Sequence, residues 1–221
     1  MRRLFLPGPI LDTVCLTGSD AHHVGYTLRE KAGDILVAVG ADRQVAEMEV
    51  VSFTKDTVTL RRRAFLTADT EPPVEVGLGI CLLKGEKMDF VVQKAVELGV
   101  AFIQPLRSEN CVVRYDENKG ATRRERWQRV AEEAAKQCGR TMVPSVEPIR
   151  ALKEWLMNFP LEAGLFLLYE REERASLRAW LRSQEGRRYL ALIGPEGGFT
   201  PEEAAAAKAA GAVSVTFGPR V

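Results

Sequence analysis

The stretch Ile193-Gly-Pro-Glu-Gly-Gly-Phe-Thr-Pro-Glu-Glu203 follows an apolar run, Tyr189-Leu-Ala-Leu-Ile193, and precedes an alanine-rich segment. Thr200 suits a helix N-cap. Pro201 suits the first helical position, where no N–H is needed, and Glu203 at the third completes a capping box. The stretch therefore reads as a strand, a glycine turn and a helix N-terminus. Such a turn opens backbone amides to a ligand, and the helix dipole favours an electron-rich group there. The spacing is neither G-x-x-x-x-G-K-[ST] nor G-x-G-x-x-G, so a phosphate loop and a dinucleotide fingerprint are both excluded. Taken alone, the turn is compatible with a ligand loop and with a tight structural turn.

Working outward, the flanking chain alternates strands and helices, the pattern of a mostly parallel sheet in an α/β domain. Val74 to Leu83 reads as a strand, followed by Lys84-Gly-Glu-Lys-Met and a helix with Phe90, Val91, Ala95 and Leu98 on one face. A strand at Ala101 to Leu106 and a helix from about Thr122 to Cys138 come next, with Trp127, Val130, Ala131, Ala134 and Ala135 inward. A helix near Ala151 to Asn158, a strand at Gly164 to Tyr169, a helix near Ala175 to Gln184 and a last strand at Val213 to Phe217 complete the pattern.

Before Thr70-Glu-Pro-Pro73 the style differs. Short runs at Arg3 to Leu6, Thr13 to Thr17, Asp34 to Val39, Val45 to Val51 and Thr57 to Arg61 are separated by glycines. With a short helix around Ala21 to Arg29, they suggest a small β-barrel over residues 1–70, and 71–221 form the α/β domain.

A chain of 221 residues with 46% apolar side chains can bury a core, and its net charge of +1 excludes a uniformly basic nucleic-acid protein. Local basic patches exist all the same, at Arg61-Arg-Arg63 and between Arg107 and Arg140. The four cysteines lack any C-x-x-C spacing and the two histidines, His22 and His23, are adjacent, so neither a zinc site nor a catalytic triad is indicated. No long apolar segment reads as a signal peptide or a membrane span, and a cytoplasmic protein without a membrane partner is expected.

In an open α/β sheet, ligands bind beyond the carboxyl ends of the strands. Those ends carry Lys84-Gly85-Glu86, Arg107-Ser108-Glu109, Tyr169-Glu170, Gly194 to Phe199 and Gly218-Pro219-Arg220. If the last three adjoin, they form a pocket lined mostly by backbone, with Glu170 and Glu196 as its carboxylates. Glu170 also reads as part of a solvated charge run, and Glu196 as a counter-charge to the helix N-terminus.

Several ordered motifs add a resemblance. Lys84-Gly-Glu-Lys-Met-Asp-Phe90, Gln93-Lys-Ala-Val-Glu-Leu-Gly99, Glu133-Ala-Ala-Lys-Gln-Cys-Gly-Arg140, Ile193-Gly-Pro-Glu-Gly-Gly-Phe199 and Phe217-Gly-Pro-Arg-Val221 together resemble the RsmE family. Arg2-Arg-Leu-Phe5 and His23-Val-Gly-Tyr-Thr-Leu-Arg29 are similar to that family's first domain. Its members are SPOUT-class methyltransferases that modify N3 of a uridine in 16S ribosomal RNA. The resemblance implies a PUA-like β-barrel, then a trefoil-knotted, mostly parallel α/β domain, in a homodimer acting on the small ribosomal subunit. Family members continue past Gly-Pro-Arg-Val with a final helix, which this sequence, ending at Val221, lacks.

It also implies an S-adenosylmethionine site in three loops: Leu168, Tyr169 and Glu170; Ile193, Gly194, Pro195, Glu196, Gly197 and Gly198; and Phe217, Gly218, Pro219 and Val221. Methylating N3 requires removal of its proton and stabilisation of the uracil anion; Glu196 is the candidate proton acceptor and Arg220 the candidate cation. Arg2, Arg3, His23, Arg29, Arg107, Arg114 and Arg140 are the expected RNA contacts. A non-catalytic RNA-binding or ribosome-assembly factor on the same fold is the alternative.

Overall fold

The computed structural model describes residues 3–27, 30–54, 56–68, 70–158 and 164–218, without the side chains of Ser19, His23 and Thr27. Arg2, Arg29, Pro219, Arg220, Val221 and the His23 side chain, all expected site groups, lie outside the described residues.

The chain divides into two compact units, Met1–Glu71 with Ala135–Met142, and Pro72–Ala134 with Val143–Val221. The first holds a five-stranded sheet in the order β1-β3-β4-β5-β2. Its strands are β1 (Arg3–Phe5), β2 (Thr13–Thr17), β3 (Ile35–Val39), β4 (Val45–Phe53) and β5 (Thr57–Leu66). All neighbours are antiparallel except β1 and β3. Alternation places Leu36, Ala38, Met48, Val50, Val58 and Leu60 in one buried cluster with Leu4, Leu16 and Val24. The helix expected around Ala21 is a single turn, α1 (Gly18–His22), continued by a π-type turn at His23–Thr27.

Residues 135–142 join this unit through a buried ion pair. Arg140 is 4% exposed and its guanidinium grips the Glu71 carboxylate. Glu71 also accepts from the Thr141 N–H at 2.8 Å, while Arg3 donates to the Arg140 carbonyl at 2.7 Å. A charge this deep is tolerated because it is paired and hydrogen-bonded.

The second unit holds a seven-stranded sheet, β12-β10-β11-β6-β7-β8 with β9 also on β7, and every pairing is parallel. The strands are β6 (Glu75–Cys81), β7 (Phe102–Arg107), β8 (Ser145–Val146), β9 (Arg150–Ala151), β10 (Gly164–Leu168), β11 (Arg188–Ile193) and β12 (Val213–Val215). The helices are α2 (Lys87–Glu97), α3 (Glu117–Cys138), α4 (Leu152–Met157), α5 (Leu177–Arg182) and α6 (Pro201–Ala209). Strands covered on both faces need continuous apolar runs, and Leu165 to Leu167 and Tyr189 to Leu192 are buried throughout.

One helix face differs from the expectation. On α2 the buried stripe is Met88, Val92 and Val96, at i, i+4, i+8, whereas Phe90 and Leu98 are 62% and 85% exposed. Val91 and Ala95 are half-buried and flank that stripe, so the apolar face is centred on Met88, Val92 and Val96. The short strands β8 and β9 have no sequence signal, being only two residues each.

Candidate functional site

Chain order and sheet order disagree in a way that builds a site. β11 inserts between β6 and β10, and β12 returns to the outer side of β10. Parallel strands place their carboxyl ends along one edge, so the ends of β12, β10, β11, β6 and β7 follow one another there. The expected adjacency of the Tyr169, Gly194 and Gly218 ends is thus met by β11, β10 and β12 lying side by side.

Leu168, Tyr169, Glu170, Glu172, Glu173 and the Val215 to Gly218 segment line a cavity of about 400 Å³. Apolar and backbone surface alternates there with three carboxylates. Glu172 sits below the ordinary carboxyl range because it accepts from the backbone N–H groups of Arg174 and Ala175. On the Glu170 side the wall meets the glycine turn. A Cβ placed on Gly198 would lie 2.6 Å from Glu170 Oε1, and Gly198 has φ +69°. Only glycine meets both demands at low cost. The turn thus leaves bare backbone facing a carboxylate.

The turn is fastened from several directions. Gly198 N–H donates to the Pro195 carbonyl at 2.9 Å. The capping box is present, with Glu203 N–H donating to Thr200 Oγ1 at 3.2 Å and Thr200 N–H donating to Glu203 Oε2 at 3.1 Å. Glu196 is held on the β6 side, where Lys87 Nζ donates to its Oε1 at 2.8 Å and the Lys84 N–H at 3.2 Å.

The Lys87 ammonium holds the Glu196 carboxyl far below its usual range, at about 2. Glu196, the expected proton acceptor, thus ties the β11 turn to the β6 end.

Among the expected RNA contacts, Arg107 and Arg114 are exposed. Arg140 is not, since its guanidinium is buried against Glu71, and a phosphate would have to displace that partner. Arg3 is partly buried and donates to the Arg140 carbonyl. A signal for Arg140 existed in sequence only as the helix-ending Gly139, which does not distinguish a buried cation from an exposed one. Asn110 escaped sequence reading altogether. Its amide donates to the carbonyls of Gly197 and Gly198, each at 3.1 Å.

A parallel α/β sheet with a glycine turn and a carboxylate-lined cavity at its carboxyl edge has the form of a small-molecule-binding domain. Residues 70–221 match a family model described as an RNA methyltransferase domain, which gives the class. Relatives extend the match beyond it. Ribosomal RNA small subunit methyltransferase E of Bacillus subtilis is 29% identical over 214 residues, covering 95% of this chain and 84% of its own. The protein of the same name from Synechocystis is 29% identical over 223 residues, covering 100% and 72%. The crystal structure of the Neisseria gonorrhoeae ribosomal RNA small subunit methyltransferase E, bound to S-adenosyl methionine, is 32% identical with a TM-score of 0.90 and covers 100% of this chain and 90% of its own. The chain belongs to the ribosomal RNA small subunit methyltransferase E family.

Proposed function

We propose that this protein transfers a methyl group from S-adenosylmethionine to N3 of a uridine in the 16S RNA of the small ribosomal subunit. The observation that carries the reading is the meeting of Gly198 with Glu170 at the edge of the cavity, in a family whose Neisseria member was crystallised with that cofactor. The residues present suit it. Leu168, Val215 and Phe217 offer apolar surface to an adenine, the Gly194 to Gly198 backbone can be approached closely, and Glu170, Glu172 and Glu173 favour a cationic ligand.

When bound, the cofactor supplies an electrophilic methyl on a sulfonium. The protein's own work is to hold the methyl and the uracil ring in line, exclude water and stabilise negative charge on the ring as N3 loses its proton. In this reading the Leu168–Glu170, Ile193–Gly198 and Phe217–Val221 segments bind the cofactor, and Arg220 supplies the cation. Glu196 acts indirectly, through Lys87 and the shape of the turn. Arg107 and Arg114, both exposed, contact RNA phosphates, with Arg2, Arg3, His23 and Arg29 contributing from the first unit.

The same reading makes the five-stranded unit a PUA-like barrel, the second unit a trefoil-knotted domain and the working form a cytoplasmic homodimer. The exposed apolar side chains Phe217, at 69%, and Leu181, at 42%, support pairing of two copies. A cytoplasmic place fits a ribosomal substrate, and among the described residues no helix is long and apolar enough to cross a membrane.

Calorimetric titration with S-adenosylmethionine tests the reading. Saturable one-to-one binding per chain is expected. No binding at millimolar cofactor would overturn the enzyme and leave a non-catalytic RNA-binding or assembly factor.

A further inference from the structure

The loop Ser108–Cys111, which follows β7, is built to grip the glycine turn. Its own shape is set by an internal turn: the Cys111 N–H donates to the Ser108 carbonyl at 3.3 Å, and Ser108 Oγ lies 3.2 Å from Cys111 Sγ. Ser108 and Cys111 are each 4% exposed, so both ends of the loop are anchored in the core. Between them, the Glu109 N–H donates to Glu203 Oε1 at 2.8 Å. Glu203 is 1% exposed, and its other oxygen accepts from the Thr200 N–H. One buried carboxylate therefore joins this loop to the start of α6.

From this braced loop Asn110 reaches the cofactor turn. Its Nδ2 lies 3.1 Å from the Gly197 carbonyl and 3.1 Å from the Gly198 carbonyl. Both neighbours are acceptors, so the nitrogen, not the oxygen, must face them. A Cβ on Gly197 would come within 3.2 Å of Asn110 Cβ, so the two segments touch as closely as a glycine permits. Holding two consecutive carbonyls fixes the two peptide planes on either side of Gly198, the residue whose left-handed backbone sets the face presented to Glu170.

We propose that Asn110 is a positioning residue for cofactor binding, acting through Gly197 and Gly198 to hold the cofactor turn in its binding shape. This role depends on the proposed S-adenosylmethionine site. Without the amide, the three-glycine turn samples other backbone conformations, and binding must first restore the competent one.

The test compares the full chain with Asn110→Ala, Asn110→Asp and Asn110→Gln, measuring KM for S-adenosylmethionine and kcat on small ribosomal subunits, together with thermal melting. Loss of two hydrogen bonds is expected to raise the cofactor KM on the order of tenfold in Asn110→Ala. Asn110→Asp, which sets an anion against two carbonyls, should raise it at least as much. Asn110→Gln, which keeps the donor on a longer arm, should recover part of the loss. Melting temperatures and kcat at saturating cofactor should stay close to the parent's, because the bonds are exposed and act on the turn alone.

A cofactor KM within twofold of the parent in both Asn110→Ala and Asn110→Asp overturns the proposal, whatever the melting temperatures do. If a variant does not accumulate folded, Asn110→Ser carries the same comparison. Failure of the unsubstituted chain to bind the cofactor is a different result, which removes the functional reading and this proposal together.

Discussion

Lys87 Nζ stands 2.8 Å from Glu196 Oε1, across 109 residues of sequence, and joins the start of α2 to the turn after β11. The pair sits where two neighbouring strand ends meet, with the Lys84 N–H as a second donor. The pair makes Glu196 a fastener between the two strand ends.

The first prediction concerns that pair. Glu196 should titrate near pH 2 rather than near the ordinary 4.5. A depressed carboxyl contributes order that is fully present above the unfolded value and is lost as pH falls through the folded one. The turn should therefore loosen between about pH 4.5 and 2. Carbon-detected NMR titration of the carboxyl checks this, and Lys87→Ala should return the midpoint toward the ordinary value.

Gly198→Ala should be worse for the cofactor than for the fold. A non-glycine residue at φ +69° costs about 1–2 kcal/mol, and the new Cβ must also push Glu170 aside. The expected result is at least a tenfold weaker affinity for S-adenosylmethionine by calorimetry, with the protein still folded.

Glu71→Ala should destabilise by roughly 3–5 kcal/mol, because it removes the carboxylate that the buried Arg140 guanidinium pairs with and hydrogen-bonds to. Burial alone would raise the Glu71 carboxyl, but hydrogen bonds from Arg140 and Thr141 outweigh it and hold the group below its ordinary range. The contribution is thus present above the ordinary carboxylate range and is lost as pH falls below it. Urea unfolding at neutral pH measures the difference.

Arginines on the surface should behave differently from the buried one. Arg107→Ala with Arg114→Ala should flatten the salt dependence of RNA binding, by about 0.7–0.9 in logarithmic slope for each phosphate no longer neutralised. Arg140→Met should leave that slope unchanged and lower stability instead. Filter binding across a salt series separates the two outcomes.

Much of the fold was legible because strands buried on both faces must be written as apolar runs, as in Leu165 to Leu167 and Tyr189 to Leu192. The start of α6 was legible for a local reason, since Thr200, Pro201 and Glu203 meet within one helical turn. The partners of that turn were not. Lys87, Asn110 and Glu170 come from three other strand ends, and only the insertion of β11 between β6 and β10 brings two of those ends beside it. The buried surroundings of Arg140 were not legible for a related reason. Its partner Glu71 lies 69 residues away, and no local pattern announces a buried pair.

The most direct test is methyl transfer itself. Small ribosomal subunits lacking the modification, incubated with the full chain and labelled S-adenosylmethionine, should incorporate one methyl per subunit, recovered by nucleoside mass spectrometry as 3-methyluridine from 16S RNA. No incorporation by a chain that binds the cofactor, or label recovered in another nucleoside, would contradict the account.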